Sequence, residues 1–207
     1  MSPDDVSFDL LHPRPLLIVI SGTSGVGKDS VIRGLKRRRL PLHVVITATT
    51  RAPREEEQNG RDYFFLTREE FEDRIEEGWF AEHAVVYSDL KGIPRHQIEE
   101  ALASGKDVVA RVDVQGAKTL RGLYPQAVLI FIVPGSFDEW YQRLTRRGTE
   151  SEADLKVRVS TAREEVKQIG LFDYVVVNSE DQIERAVDDV VSIINTEHMA
   201  VQHRRIL

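Results

Sequence analysis

Cysteine is absent from the sequence. That excludes disulfide staples, Cys-ligated zinc, iron–sulfur clusters and thiol catalysis, and it fits a reducing compartment. Long apolar runs are missing too. Leu16 to Ile20 is five residues and Ala127 to Val133 seven, both far short of the ~20 that cross a bilayer as a helix. Histidines number six and lie scattered without ligand spacing, so no zinc or iron site follows. Positive charge is not in excess: 28 Lys+Arg against 34 Asp+Glu leave a net charge of −6, which argues against nucleic acid as a partner. Residues 1–15 carry three Asp and one Arg, with Pro3, Pro13 and Pro15 as breaks. They show neither an apolar signal core nor the acid-poor character of a transit peptide, and an irregular tail is expected there. The expectation is a cytoplasmic globular protein with no membrane or nucleic-acid partner.

What is present suits one domain with insertions. The chain has 207 residues, 41% hydrophobic, enough for one sizeable core and too few for two. Leu16–Ser21, Val108–Asp113, Val128–Val133 and Tyr174–Asn178 read as buried strands, with His43–Thr47 a fifth. Each is a short β-branched run bounded by turn residues. Helical patterns fall at Asp29–Arg39, Arg68–Glu77, His96–Ser104, Phe137–Arg146, Asp154–Ile169 and Gln182–Thr196. Such alternation predicts an α/β fold with a largely parallel sheet. Two stretches depart from it. Residues 47–93 are charge-rich and read as an inserted subdomain with short strands near Tyr63–Leu66 and Ala84–Tyr87. Residues 143–163 hold five Arg around a Gly148-Thr149 turn and read as a polar helical hairpin.

The first strand runs into Gly22-Thr23-Ser24-Gly25-Val26-Gly27-Lys28-Asp29-Ser30 and then a helix. Glycines let successive backbone N–H groups converge on one anion, the helix N-terminus adds partial positive charge, and Lys28 adds a full one. The spacing is G-x-x-x-x-G-K, with the hydroxyl one place late at Ser30. A plain Gly-rich connector is the alternative, but the flanking strand, helix and lysine favour phosphate binding. Asp29 is expected to cap the helix, with no part in the chemistry.

With these residues in view the chain resembles the guanylate kinases, from about Leu16 to about Asn195. The motifs, in family order, are the loop above; Thr47-Ala48-Thr49-Thr50-Arg51-Ala52-Pro53-Arg54; Gly60-Arg61-Asp62-Tyr63-Phe64-Phe65; Phe80-Ala81-Glu82; Asp113-Val114-Gln115-Gly116; Arg147-Gly148-Thr149; and Val177-Asn178. The resemblance implies a P-loop NTPase-type parallel sheet core over residues 16–46, 94–142 and 164–207. It implies an inserted nucleotide-monophosphate-binding subdomain over 47–93 and a helical lid over 143–163, within a domain spanning 16–207. It implies transfer of the γ-phosphoryl group of Mg-ATP to GMP, in purine metabolism, by a monomer or homodimer. Arg51, Arg54 and Tyr63 would hold the GMP phosphate, and Thr47, Glu82 and Asp113 would read guanine. ATP would take residues Gly22 to Ser30 and Asn178, with Mg2+ near Ser30 directly or through water. Lys28, Arg51, Arg147 and Arg158 would stabilise the transfer.

The residue chemistry agrees. An arginine fork pairs two phosphate oxygens at once, though solvated loop charge is the usual fate of such residues. Glu82 stands in an apolar run and needs a partner. Guanine offers it two donors, whereas adenine presents an acceptor at N1. A structural ion pair to a subdomain arginine is the bland alternative. Three departures from the family pattern stand out. Lys91-Gly92-Ile93 replaces a common Tyr-Gly-Ser/Thr, so Lys91 can donate to phosphate while Ile93 cannot hydrogen-bond a base. Arg111 occupies a position that is often acidic. Thr23 replaces a common proline. Ribose bisphosphate kinases share the Gly-Lys-Asp-Ser loop and a Gly-Ile-Pro. A non-catalytic scaffold domain is the remaining rival, disfavoured by the intact Gly27-Lys28. The run Lys36–Arg39 reads as a cationic last helical turn, and Trp79 and Trp140 as packing anchors.

Overall fold

The structure, a computed structural model, describes residues 13–86, 88–145 and 152–203. Strand β1 (Leu17–Gly22) is buried along its whole length. Leu16, Ile18 and Ile20 enter one core while Leu17 and Val19 enter another, the two-residue alternation of a strand covered on both faces. With β2 (Leu42–Val44), β7 (Asp107–Arg111), β8 (Val128–Pro134) and β9 (Tyr174–Asn178) it forms a five-stranded sheet in the order β2-β7-β1-β8-β9. All its pairings are parallel. The chain goes to one side of β1 for β2 and β7 and to the other for β8 and β9. Such a reversal opens a crevice at the carboxyl ends of the central strands.

Helices α1 (Lys28–Arg37), α5 (Phe137–Thr145), α6 (Glu152–Lys167) and α7 (Ile183–Met199) feed one core, with Val31, Leu35, Trp140, Leu144, Ala162, Val187 and Ile194 buried. Helices α3 (Arg95–Ala103) and α4 (Val114–Leu123) cover the opposite face through Ile98, Ala117 and Leu120. The cationic end of α1 is tied to α7, where Arg37 and Arg38 pair with Glu184 and Asp188. No helix among the described residues is long and apolar enough to cross a membrane.

The insertion forms its own four-stranded sheet, β4-β3-β6-β5, from β3 (Ala48–Thr49), β4 (Phe64–Phe65), β5 (Phe80–Val86) and β6 (Asp89–Pro94). Helix α2 (Arg68–Glu76) closes it with Phe71, which stacks on Phe80 at 4.4 Å between ring centroids. Its start is set by a capping box: Glu70 N–H donates to Thr67 Oγ1, and Thr67 N–H returns to the Glu70 carboxylate. Strands β3 and β6 are too short or too polar to be anticipated by alternation. Helix α4 also departs from expectation. Two glycines, Gly116 and Gly122, weaken its intrinsic propensity. It forms because Asp113 caps it, Oδ1 accepting from Gly116 N–H at 2.8 Å, and because Val114, Ala117 and Leu120 are buried. Asp113 thus lies past the end of β7, where a strand residue was expected.

Candidate active site

Lys28 opens α1, and the helix cap is Gly27 at φ 90°. A Cβ there would come within 2.4 Å of Asn178 Nδ2, so glycine is required by backbone and by space. The expected capping role of Asp29 is corrected: no side chain caps α1, and Asp29 instead pairs with Arg111. Gly27 already occupies the cap position, two residues upstream. Lys28 Nζ folds back to the carbonyls of Gly22 and Thr23. Side chains from β9, α5 and α6 brace the loop. Asn178 Nδ2 donates to Val26 O at 2.7 Å, Trp140 Nε1 to Ser24 O at 2.8 Å, and Arg158 to Ser24 Oγ at 2.8 Å. Burial pushes the Lys28 ammonium down to about 8, with Glu165 on α6 opposing the shift and Arg111 and Lys91 adding to it.

A cationic cluster lies beside this loop. Arg51 grips both oxygens of Glu57, at 2.9 and 2.8 Å, and the Arg54 amide donates to the same carboxylate at 2.8 Å. Burial would raise the Glu57 pKa, but these bonds outweigh it and hold the group below the ordinary range. Tyr63 stands between two guanidinium groups, Arg51 at 5.4 Å and Arg111 at 5.0 Å from its ring centroid. Its hydroxyl accepts from Arg111 at 2.5 Å. Lys91 lies within electrostatic reach of Arg51 and Arg54, its pKa lowered first by burial and then by Arg51. Arg54 is exposed. Arg51, Arg54, Arg111 and Lys91 thus gather here with Glu57 as a local counter-charge; the like charges repel one another, and a dianion between them relieves that repulsion.

Deeper in, Glu82 is buried at 6% exposure. Burial and then the Asp113 charge push its pKa up to about 8. A buried carboxyl that prefers its proton is primed for a ligand bringing donors. Helix α4 presses against it: a Cβ on Gly116 would lie 2.9 Å from the Glu82 carboxyl carbon. Thr47 Oγ1 is buried without a hydrogen-bond partner. Ile93 pairs with Glu82 across the β5–β6 ladder but packs into the core beneath α3 and α4. Asp113 lies within electrostatic reach of Lys28, Glu82, Lys91 and Glu165, so phosphate loop, cations and buried acid converge on one crevice.

The guanylate kinase family model matches residues 14–197. Guanylate kinase 2, chloroplastic/mitochondrial, of rice is 50% identical over 195 residues, 94% of this chain and 68% of its own length. The chain belongs to the guanylate kinase family. Guanylate kinase from Nitrosomonas europaea is 44% identical over 183 residues, covering 88% of this chain and 90% of that protein. The crystal structure of guanylate kinase from Anaplasma phagocytophilum superposes with a TM-score of 0.78 at 30% identity, covering 93% of this chain and 90% of that one. A shikimate kinase from Bacteroides thetaiotaomicron, at 14% identity and TM-score 0.51, shares the fold alone. Guanylate kinases are nucleoside monophosphate kinases.

In this guanylate kinase family member, the expected residues from Gly22 to Ser30, with Asn178 and Arg158, do meet at one loop. Arg51, Tyr63, Glu82, Lys91 and Asp113 meet in the adjoining crevice, Arg54 is exposed at its edge beside Arg51 and Glu57, and Thr47 is buried just before β3 with its hydroxyl unpartnered. Arg147 lies outside the described residues. Four contributors were not foreseen. Glu57 was hidden in a run of three glutamates, although its offset from Arg51 and Arg54 was a usable signal. Glu165 on α6 favours the charged form of Lys28, its own pKa raised to about 7 by burial, and nothing in its local sequence singles it out. Trp140 was read as packing alone, yet it also braces the loop. Arg111 was noted as a departure, but its two partners, Asp29 and Tyr63, are distant in sequence.

Proposed function

We propose that the protein transfers the γ-phosphoryl group of Mg-ATP to GMP, and to dGMP, giving ADP and GDP or dGDP. The supporting observation is the buried, proton-holding Glu82 beside a four-cation cluster, with the Lys28 loop across the same crevice. A phosphate needs the cations, guanine N1–H and its exocyclic amine need Glu82, and a triphosphate needs the loop. Thr47 Oγ1 and Asp113 are further polar groups for the base.

An oxygen of the GMP phosphate attacks the γ-phosphorus in line, and the bond from that phosphorus to the β-phosphate oxygen breaks, releasing ADP. A phosphate dianion is already a nucleophile, so no general base is required. The protein contributes position and charge. Lys28 and the loop amides hold the β- and γ-phosphates, Arg51 and Arg54 fork the acceptor phosphate, and Tyr63 and Lys91 donate to it. Arg158 and Arg147, from the lid, neutralise charge on the transferring group and help exclude water. Magnesium bound with ATP would offset the charge on the phosphates. The Ser30 hydroxyl, a hard oxygen in the first turn of α1, suits such an ion directly or through water. No cluster of three His, Asp or Glu among the described residues is placed to hold a metal by itself.

The test is an ADP-release assay with Mg-ATP and GMP, dGMP, AMP, IMP or ribose bisphosphate as acceptor. Turnover with GMP and dGMP should exceed that with AMP by about 10⁴-fold, as expected where a buried acceptor would be left unpaired. Turnover with ribose bisphosphate alone, or with no acceptor, would overturn the reading.

A further inference from the structure

Arg111 ends β7 and reaches two places that no shared element joins. One guanidinium nitrogen pairs with the Asp29 carboxylate in the first turn of α1. The other donates to the Tyr63 hydroxyl at 2.5 Å, with the guanidinium 5.0 Å from the ring centroid. The two partners lie 82 and 48 positions away in the chain. Asp29 follows Lys28 directly, so its carboxylate is a negative charge beside the loop that would take the triphosphate. Arg111 offsets that charge. Tyr63 sits beside Arg51 and Arg54, and Arg111 orients its hydroxyl. Only a planar fork serves two partners in different directions; an ammonium is a point charge.

We propose that Arg111 is a positioning residue for both substrates: it neutralises Asp29 so that the loop accepts ATP, and it holds Tyr63 for the acceptor phosphate. The second half rests on Tyr63 being an acceptor-phosphate ligand. Arg111 thereby links the donor and acceptor halves of the crevice through one side chain.

Steady-state kinetics on Arg111→Gln, Arg111→Lys and the double variant Asp29→Asn/Arg111→Gln separate the two tasks, with Tyr63→Phe testing the underlying reading and thermal melts reporting on folding. Arg111→Gln should raise KM for ATP and for GMP by about tenfold each, the scale of a charge-assisted contact. The double variant should bring KM for ATP back within about threefold of the unaltered protein while KM for GMP stays raised. Arg111→Lys should keep KM for ATP within about threefold yet raise KM for GMP about tenfold, because the charge survives and the fork does not. Failure of the double variant to recover KM for ATP overturns the neutralising role. A fall in kcat and melting temperature with both KM values unchanged shows a merely structural residue and overturns the whole proposal. If Tyr63→Phe leaves KM for GMP unaltered, the acceptor reading of Tyr63 fails while the Asp29 half is judged on its own result.

Discussion

At the scale of single residues, Glu82 and Lys28 are unlike groups treated alike by burial: each is pushed toward its neutral form, to about 8 in both cases. For Glu82 the folded protein holds its proton more tightly than the unfolded chain, whose value is near 4.5. That preference favours folding fully below the unfolded value and is lost as pH rises through about 8. Melting temperature should therefore fall between pH 5 and 8 in the unaltered protein and change less in Glu82→Gln; parallel profiles would refute the assignment. Guanine's two donors favour the carboxylate, so GMP binding at pH 7 should release close to one proton. Calorimetry in buffers of different ionisation enthalpy reads this, and Glu82→Gln should release none. Lys28→Ala removes the loop's fixed charge while its lost bonds go only to neighbouring loop carbonyls. Turnover should drop about 10²–10³-fold with a shift of only a few degrees in melting temperature.

At the scale of elements, α4 shows how a helix with two glycines can be a functional part. Its cap, Asp113, also sets the field at Glu82, and its Gly116 is the floor against which Glu82 lies. Gly116→Ala would bring a methyl group into the carboxyl and into Val112, whose Cβ is also 2.9 Å from the new atom. The substitution suits the helix intrinsically, so its harm is confined to the contact. KM for GMP should rise by about tenfold or more while KM for ATP changes little, since overpacking there displaces Glu82 and not the loop. Equal changes in both constants would show that α4 serves the fold only. The charge run and the Phe64–Phe65 pair mark residues 47–93 as a departure from the alternation, and the second sheet falls there. The β5–β6 hairpin was only half legible, because β6, Asp89–Pro94, mixes charge, glycine and proline and owes its conformation to the strands on either side.

At the scale of the molecule, two sheets of unequal strength meet at the crevice. The parallel sheet has an extensive core on each face, whereas the insertion rests on Ala48, Phe71, Phe80 and Leu90 with a few half-buried neighbours. Local opening follows the smaller core. Amide hydrogen exchange should be faster at Ala48–Thr49 and Phe64–Phe65 than along β1, and GMP should slow it selectively, because a ligand stabilises the part it binds. Exchange from both sheets at one rate, with and without GMP, would show a single cooperative unit instead.

Much that depends on near neighbours was legible in the chain itself, although the Asp113 cap of α4 and the Glu57 pairing were not. The strand, glycine loop, lysine and helix from Leu17 to Arg37 lie within one continuous stretch, and period, propensity and spacing determine them. The arginine pair at 51 and 54 and the alternation of strands with helices belong to the same class. What tertiary structure decided depends on distance through space. Asp29 reads locally as a cap and becomes an ion-pair partner only because β7 brings Arg111 across 82 positions. Glu82 holds its proton because packing removes water and sets Asp113 beside it. Desolvation and Coulomb interaction act over a few ångströms in any direction, and a linear pattern carries no measure of that distance.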